Sequence, residues 1–85
     1  MTSAPPLTRP KWLIVTQGNC SFCTKAKNLL AFTGCEYNEV VVTKENKNYW
    51  MKKTGMNTVP MIFDPHGKLV GGYSQLYDMI VYSEK

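Results

Sequence analysis

The pattern of hydrophobic and polar positions predicts strands and helices in the order β-α-β-α-β-β-α. Residues 11–16 form a short, nearly continuous apolar run, which is typical of a central strand buried on both faces. Over residues 21–33 the apolar side chains recur at three- and four-residue spacing, which predicts a helix. Residues 36–42 are rich in β-branched side chains and predict a second strand. We expect these two strands to be parallel, joined by a right-handed crossover.

The middle of the chain predicts a second helix followed by a β-hairpin. Thr43 is a suitable N-cap for a helix over residues 44–54, and Gly55 should end it. This helix has only a narrow apolar stripe, so we expect it to be partly exposed. Residues 61–64 predict the third strand, and residues 68–70 predict its antiparallel partner after a tight turn.

A third helix over residues 75–83 completes the predicted elements. Ser74 is its candidate N-cap, and we expect Leu76, Met79 and Ile80 to face inward. The predicted fold class is α/β, with a four-stranded mixed sheet flanked by three helices.

Length and composition indicate one small domain. The chain has 85 residues, and residues 1–10, with three prolines, predict a flexible lead-in to a single domain over residues 11–85. The net charge of +4 comes from dispersed basic residues, so we expect no nucleic-acid binding. We also expect no membrane span and no signal peptide, because no apolar run is long enough. Three cysteines, an odd number, suit a reducing compartment, and the predicted location is cytoplasmic.

Cys20 and Cys23 form a Cys-x-x-Cys pair between the first predicted strand and the first predicted helix. This is the setting expected of a redox-active dithiol. A sulfur at the helix start faces unpaired backbone N–H groups and the positive end of the helix dipole, which favour thiolate over thiol. Cys23, three residues later, lies on the same side of the helix and can displace a mixed disulfide formed at Cys20. We therefore predict that Cys20 is the nucleophile and Cys23 the resolving thiol.

Two other roles fit the cysteine pair. A zinc site needs four ligands, and the only further candidates, Cys35 and His66, match no standard spacing, so we expect no metal site from these residues. A structural disulfide is also compatible, but small secreted scaffolds usually carry a denser, even set of cysteines. We expect Cys35 to be a small apolar filler and His66 to be a turn residue.

Three motifs together resemble the glutaredoxin family. They are Cys20-Ser21-Phe22-Cys23 after a strand, Thr58-Val59-Pro60 before the third strand, and Gly71-Gly72 before the last helix. Each motif alone is weak, but the three in this order and at these spacings are specific. The resemblance implies the thioredoxin fold and electron transfer from glutathione to disulfides, or removal of glutathione from protein mixed disulfides. It also implies ribonucleotide reductase as a frequent partner.

The resemblance implies roles for individual residues as well. Pro60 matches the family's cis-proline, which would let Val59 offer its N–H and C=O to an extended substrate beside Cys20. Residues 71–74 match the segment whose backbone N–H groups hold the γ-glutamyl carboxylate of glutathione, and Lys47 falls near its glycine carboxylate. The glutathione-binding set predicted in this way is Gln17, Phe22, Lys47, Thr58, Val59, Pro60, Gly72, Tyr73 and Ser74.

The same residues have plainer interpretations without the resemblance. Pro60 then fits a trans proline that begins an edge strand. Gly71-Gly72 fits a simple turn, and Lys47 fits an exposed surface lysine.

Three positions depart from the family pattern. Gln17 stands where many glutaredoxins have Lys or Arg, and Gln75 stands where many have Asp, so contacts to glutathione are missing at both. These departures favour an alternative in which a thioredoxin reductase supplies the electrons. Ser21 replaces the common Pro, and relatives with Ser there can hold a [2Fe–2S] cluster between two protomers, each giving its first cysteine, here Cys20, and one glutathione. We expect a monomer, and a dimer only when such a cluster is bound.

Overall fold

The structure, a computed structural model, describes residues 11–83, and the predicted lead-in over residues 1–10 lies outside this part of the chain. Seven elements follow one another in the predicted order. They are β1 (Trp12–Thr16), α1 (Ser21–Phe32), β2 (Tyr37–Val41), α2 (Lys47–Thr54), β3 (Met61–Phe63), β4 (Leu69–Gly71) and α3 (Tyr73–Ser83). None of the helices within residues 11–83 is long and apolar enough to cross a membrane.

The four strands form one mixed sheet in the order β2-β1-β3-β4. β1 pairs in parallel with β2, where Ile14 lies opposite Glu39, and antiparallel with β3, where Ile14 lies opposite Ile62. β3 then pairs antiparallel with β4. The predicted four-stranded mixed sheet with three helices is confirmed. Since α1 connects β1 to its parallel neighbour, the start of α1 lies at the carboxyl end of a central strand.

The central strand β1 is buried on both faces, because alternate residues of a strand point to opposite sides of the sheet. On one face Ile14 packs with Leu30 of α1 and Leu76 of α3, and all three are fully buried. On the other face Val15 packs with Trp50, which is the only buried residue among those of α2. Burying one such side chain contributes about 1.5–3 kcal/mol. The two clusters therefore hold the sheet between the helices, and the expected partial exposure of α2 is confirmed.

The start of α2 differs from the prediction. The helix begins at Lys47, three residues late, and Thr43 is not its N-cap. The Asn46 backbone N–H donates to Thr43 Oγ1 at 3.2 Å, and the Thr43 backbone N–H donates to Asn46 Oδ1 at 2.7 Å. These reciprocal bonds hold the segment in a turn. Side-chain oxygens that bond nearby backbone N–H groups stabilise such turns in competition with a helix. Gly55 ends α2 in the left-handed region at φ 73°, as predicted.

The start of α3 also differs from the prediction. The helix begins at Tyr73, two residues early, so Ser74 is not its N-cap. The Gly72 backbone N–H donates to Gln75 Oε1 at 2.9 Å, which caps the first turn from within the helix. Gly71 has φ 126°, and a Cβ at this position would lie 2.9 Å from Gln75 Cγ. The capping contact therefore requires a residue without a side chain at position 71.

The inward face of α3 is narrower than the sequence suggests. Leu76 is fully buried, and Tyr73 and Ile80 pack against the same cluster. Met79 is 42% exposed, so its predicted inward orientation is wrong. Each residue of a helix advances by about 100°, so Tyr73, Ile80 and Leu76 lie within roughly 60° of one another around the helix axis. Met79 lies about 60° further around, outside this buried stripe.

A polar network joins β1, α1 and β2. Thr16, which is 2% exposed, donates from Oγ1 to Glu39 Oε2 at 2.6 Å. Lys27 Nζ donates to the same oxygen at 3.1 Å. Both bonds favour the carboxylate, so the pKa of Glu39 lies below its ordinary value of 4.5, with the Thr16 bond as the larger cause.

Acid should therefore weaken the fold in part through Glu39. A carboxyl group with a lowered pKa contributes stability that is present above its unfolded pKa, near 4.5 here, and is lost as the pH falls through the folded pKa. We expect the urea-derived free energy of unfolding to fall more steeply with acid in the wild type than in Glu39→Gln. The matched control Glu45→Gln, which changes an exposed carboxyl before α2, should keep the wild-type profile. An unchanged acid profile in Glu39→Gln would contradict this role.

Candidate active site

Cys20 lies where the chain turns from β1 into α1. The turn includes Asn19 at φ 59°, a left-handed conformation that Asn tolerates better than most residues. Cys20 itself is extended, at φ −116° and ψ 107°, and is the N-cap of α1. Its sulfur accepts a hydrogen bond from the Cys23 backbone N–H at 3.2 Å. The sulfur thus satisfies one of the N–H groups that a helix leaves without a partner at its start.

The two thiols of the pair differ in exposure, and burial changes the pKa of Cys23. All three cysteines are free thiols; Cys20 is half-buried and Cys23 is 2% exposed. Burial raises the pKa of Cys23 to about 11, and the hydrogen bond with the Cys20 side chain adds to the rise, while the Gln17 backbone and the Lys27 ammonium oppose it. Cys23 is therefore a shielded, protonated thiol at neutral pH. Cys20, by contrast, presents its sulfur beside the open end of the helix.

The segment before β3 lies beside Cys20. The Val59–Pro60 peptide bond is cis, and Pro60 is buried. The Val59 carbonyl oxygen is 4.0 Å from Cys20 Sγ. The backbone that we expect to bind an extended substrate is therefore in contact distance of the expected nucleophile.

Two small cavities share Val59 in their linings, and together we call them the Val59 groove. One, of about 80 Å³, contains four predicted glutathione-binding residues: Gln17, Lys47, Thr58 and Val59. The other, of about 170 Å³, contains six: Phe22, Val59, Pro60, Gly72, Tyr73 and Ser74. The nine predicted residues thus line two cavities that share Val59, whose carbonyl oxygen is 4.0 Å from Cys20 Sγ.

Aromatic rings form one wall of the Val59 groove. The ring centroids of Phe22 and Tyr73 are 6.0 Å apart, and those of Tyr73 and Tyr77 are 6.1 Å apart. Lys25 Nζ lies 5.3 Å from the Phe22 centroid, and Phe22 remains 53% exposed. The wall therefore joins the start of α1 to α3 and presents apolar surface next to the thiols.

Gln75 has a contact that the sequence analysis missed. It lines the larger cavity of the groove, and its amide oxygen accepts the Gly72 N–H. That N–H is one of the donors expected for a carboxylate. A carboxylate that binds here must either displace the Gln75 amide from the Gly72 N–H or accept hydrogen bonds from the next N–H groups, those of Tyr73 and Ser74. The spacing from Gly72 to Gln75, which is that of a capping box, was the sequence signal for this contact.

A third cavity, of about 570 Å³, also opens onto the thiols and was not predicted. It contains Cys20 and Cys23 together with Thr16, Lys27 and Glu39 of the polar network. We call it the Lys27 cavity. Lys27 follows Cys23 by four residues, a spacing that places both side chains on one face of α1, so the sequence could have predicted that Lys27 lies near Cys23. The other two members, Thr16 on β1 and Glu39 on the neighbouring strand β2, had no comparable signal.

Cys35 and His66 lie apart from the thiol pair. Cys35 is half-buried against the core, and its sulfur accepts a bond from Thr33 Oγ1 at 3.3 Å. The His66 backbone N–H donates to Asp64 Oδ1 at 2.9 Å, within the turn before β4. Within residues 11–83, no three side chains of the kinds that bind metals lie together.

Known proteins resemble this chain in sequence and in fold. The glutaredoxin family model matches residues 13–70. Glutaredoxin 1 of Rickettsia typhi is 39% identical over 71 residues, which cover 79% of this chain and 67% of that protein. The solution structure of a glutaredoxin from Brucella melitensis has a TM-score of 0.75 at 34% identity, over 92% of this chain and 86% of that chain. A buckwheat glutaredoxin, solved as its glutathione complex, has a TM-score of 0.78 at 20% identity, over 87% of this chain and 71% of that chain.

These similarities agree with the element order, the mixed sheet and the Cys-x-x-Cys pair at the start of α1. The solved structures share the thioredoxin fold that the resemblance predicted. The family model extends from β1 into β4, and the relative from Rickettsia typhi covers 79% of the chain. The chain belongs to the glutaredoxin family of thiol–disulfide oxidoreductases.

Proposed function

We propose that this protein carries electrons from glutathione to disulfides through Cys20 and Cys23. The observation that carries the proposal is the difference between the two thiols. Cys20 is half-buried at a helix N-terminus, with its sulfur 3.2 Å from a backbone N–H, whereas Cys23 is buried with a pKa of about 11. A thiolate is the nucleophile in disulfide exchange, so this difference supports Cys20 as the first thiol to attack.

The proposed reaction proceeds by two exchanges in each direction. The Cys20 thiolate attacks one sulfur of the substrate disulfide, and the other sulfur leaves as a thiolate. Cys23 then loses its proton and attacks Cys20 Sγ, which forms the Cys20–Cys23 disulfide and releases the second substrate thiol. Two glutathione molecules reverse these exchanges: the first forms a mixed disulfide with Cys20, and the second releases it as glutathione disulfide. The substrate gains two electrons, and the two glutathiones lose them.

The Val59 groove supports glutathione as the reductant. Glutathione carries two carboxylates with its thiol between them, and the groove has a basic side chain in one cavity and a helix N-terminus in the other. Lys47 would pair with the glycine carboxylate, and the N–H groups of Tyr73 and Ser74 would hold the γ-glutamyl carboxylate. Val59 lies between these cavities and beside Cys20 Sγ, where the ligand's sulfur must come.

The proposed substrates are protein disulfides and proteins in mixed disulfide with glutathione. The exposed aromatic wall and the half-buried Cys20 support access by a macromolecule. Ribonucleotide reductase is the proposed partner, because it is a frequent partner of the family that the chain resembles. The cytoplasmic location and the monomeric state stay predictions.

A shared [2Fe–2S] cluster is the second candidate, and the observations that favour it are Ser21 after Cys20 and the accessible Cys20 sulfur. Thiolates are the usual ligands of such clusters. Since residues 11–83 of one chain present no cluster of metal-binding side chains, Cys20 and one glutathione from each of two protomers would have to supply the ligands. Visible absorbance of protein purified without oxygen, with and without glutathione, distinguishes this candidate from the dithiol enzyme.

Variants of the two cysteines test the proposed roles. Consumption of NADPH is followed with glutathione and glutathione reductase, and in parallel with thioredoxin reductase. We expect the glutathione system to support turnover, and Cys20→Ser to abolish it because the remaining thiol of the pair, Cys23, is buried. Cys23→Ser should abolish reduction of protein disulfides but retain part of the removal of glutathione from mixed disulfides, which needs one thiol.

The matched control is Cys35→Ser, which removes a thiol outside the groove and should leave both activities intact. Turnover with thioredoxin reductase alone would contradict glutathione as the reductant. Activity in Cys20→Ser would contradict the assigned nucleophile.

A cation at position 17 tests whether the groove binds glutathione. Gln17 is exposed and lines both the smaller cavity of the Val59 groove and the Lys27 cavity. Exposed charge pairs are worth about 0.2–1 kcal/mol, so Gln17→Lys should raise the glutathione-dependent kcat/KM by roughly two- to fivefold. The gain should lie mainly in KM and should disappear at high salt.

The matched control is Asn28→Lys, which adds the same charge on an exposed position of α1 outside these cavities. It should leave the glutathione-dependent rate unchanged, and the rate with thioredoxin reductase should change little in either variant. A flat or lower glutathione rate in Gln17→Lys would place residue 17 outside the binding site.

A further inference from the structure

The Lys27 cavity contains charged groups that have no role in the exchange reaction proposed for Cys20 and Cys23. Apart from the two thiols, its titratable lining residues are Lys27 and Glu39, among the residues that the structure describes. Its other lining residues are uncharged: Thr16, Gln17, Gly18, Asn19, Ser21, Thr24 and Val41. α3, which packs on α1, brings Tyr73 to Phe22, and this contact belongs to the Val59 groove. The buried thiol therefore shares its cavity with one cation and one carboxylate.

The resolving step creates an electrostatic problem at Cys23. This thiol must become a thiolate before it can attack the mixed disulfide on Cys20. In the free dithiol, burial raises the pKa of Cys23 to about 11, and the thiol stays buried and protonated at neutral pH. A group that stabilises negative charge at Cys23 increases the share of thiolate more than it lowers the thiolate's nucleophilicity, so it should accelerate resolution.

Lys27 is placed to supply that stabilisation. It follows Cys23 by four residues on α1, a spacing that puts two side chains on one helix face with Cβ atoms about 5–6 Å apart. Its Nζ is held at 3.1 Å from Glu39 Oε2, and the same oxygen is fixed by Thr16. Both partners belong to the sheet, so the long Lys27 side chain has a defined position over the cavity.

Glu39 is poorly suited to take the Cys23 proton itself. Its Oε2 already accepts bonds from Thr16 and Lys27, and these bonds lower the pKa of the carboxyl group. A carboxylate stabilised in this way is a weak base. The cavity is open to solvent at its Cys20 end, since Cys20 is half-buried, and water can accept the proton there.

We propose that Lys27 stabilises the Cys23 thiolate during the resolving step, and that Glu39 and Thr16 are the residues that position Lys27. This inference depends on the proposed roles of Cys20 and Cys23. In the step, Cys23 gives its proton to water, and its thiolate forms a bond to Cys20 Sγ. The bond between Cys20 and the substrate sulfur breaks, and that sulfur leaves with the electron pair and takes up a proton from solvent. The two cysteines are oxidised and the substrate disulfide is reduced.

Single-turnover kinetics with dithiodipyridine separate this step from the first attack. The reagent is a neutral disulfide, so it does not pair with Lys27, and each exchange releases one coloured thiopyridone. Attack by Cys20 gives the first phase, and attack by Cys23 on the mixed disulfide gives the second. The measurements use a Cys35→Ser background, so that only the pair reacts.

In Lys27→Gln we expect the second phase at pH 7 to slow by about two- to fivefold, with its pH midpoint moved to higher pH. This range is the effect of about 0.4–1 kcal/mol at 1.36 kcal/mol per tenfold, as for a partly exposed charge. The first phase should change less than the second. Lys27→Arg keeps a cation and should restore the second phase, whereas Lys52→Gln, which removes the same charge from α2, should leave both phases unchanged.

The positioning role is tested by repeating Lys27→Gln in a Glu39→Gln background. We expect its effect on the second phase to be smaller there, because the untethered lysine no longer occupies one position. An equal effect in both backgrounds would contradict the role of Glu39. The proposal for Lys27 is overturned by an unchanged second phase and pH midpoint, or by equal slowing of both phases.

Failure of the underlying roles would look different. If Cys23→Ser kept the second phase, the resolving thiol would be wrongly assigned, whatever Lys27 does.

Discussion

The hydrogen bond from the Cys23 backbone N–H to Cys20 Sγ, at 3.2 Å, links the chemistry of this protein to its fold. The bond exists because β1 ends where α1 begins, so that Cys20 takes the N-cap position and its sulfur meets the unpaired N–H groups of the first turn. The same turn buries the Cys23 side chain beneath it. One helix start therefore produces one half-buried thiol at the N-cap and one buried thiol whose pKa is raised.

The sheet places different chemistry on two sides of this helix start. The Val59 groove presents backbone, aromatic rings and a helix N-terminus, which suit an extended ligand with carboxylate ends. The Lys27 cavity contains Cys23 together with a cation that Glu39 holds at 3.1 Å. Our proposals therefore assign ligand binding to the Val59 groove and stabilisation of the Cys23 thiolate to the Lys27 cavity.

The sequence was informative where a short pattern of residues determines the local backbone structure. The apolar run of β1, the Cys-x-x-Cys pair and Gly55 at the end of α2 all predicted local structure that the coordinates share. The predictions failed where side chains compete with the helix. Thr43 bonds Asn46 in a turn, and Gln75 replaces Ser74 as the cap of α3.

The contacts that periodicity could not predict join distant parts of the chain. Glu39 is twelve residues from Lys27 and twenty-three from Thr16, so their meeting depends on how β2 pairs with β1 and how α1 lies across them. The apolar side chain of Met79 predicts an inward position, whereas α3 packs through a narrower stripe that excludes it. The candidate thiols were therefore predictable from local sequence, and their electrostatic surroundings were not.

The central claim is that the fold makes Cys20 reactive and keeps Cys23 protonated. Alkylation with iodoacetamide across a pH series, followed by peptide mapping by mass spectrometry, tests it most directly. Cys20 should be modified first at neutral pH. Modification of Cys23 should stay slow and rise about tenfold per pH unit towards its pKa of about 11, because only the thiolate reacts. Modification of Cys23 before Cys20 at neutral pH would contradict the account.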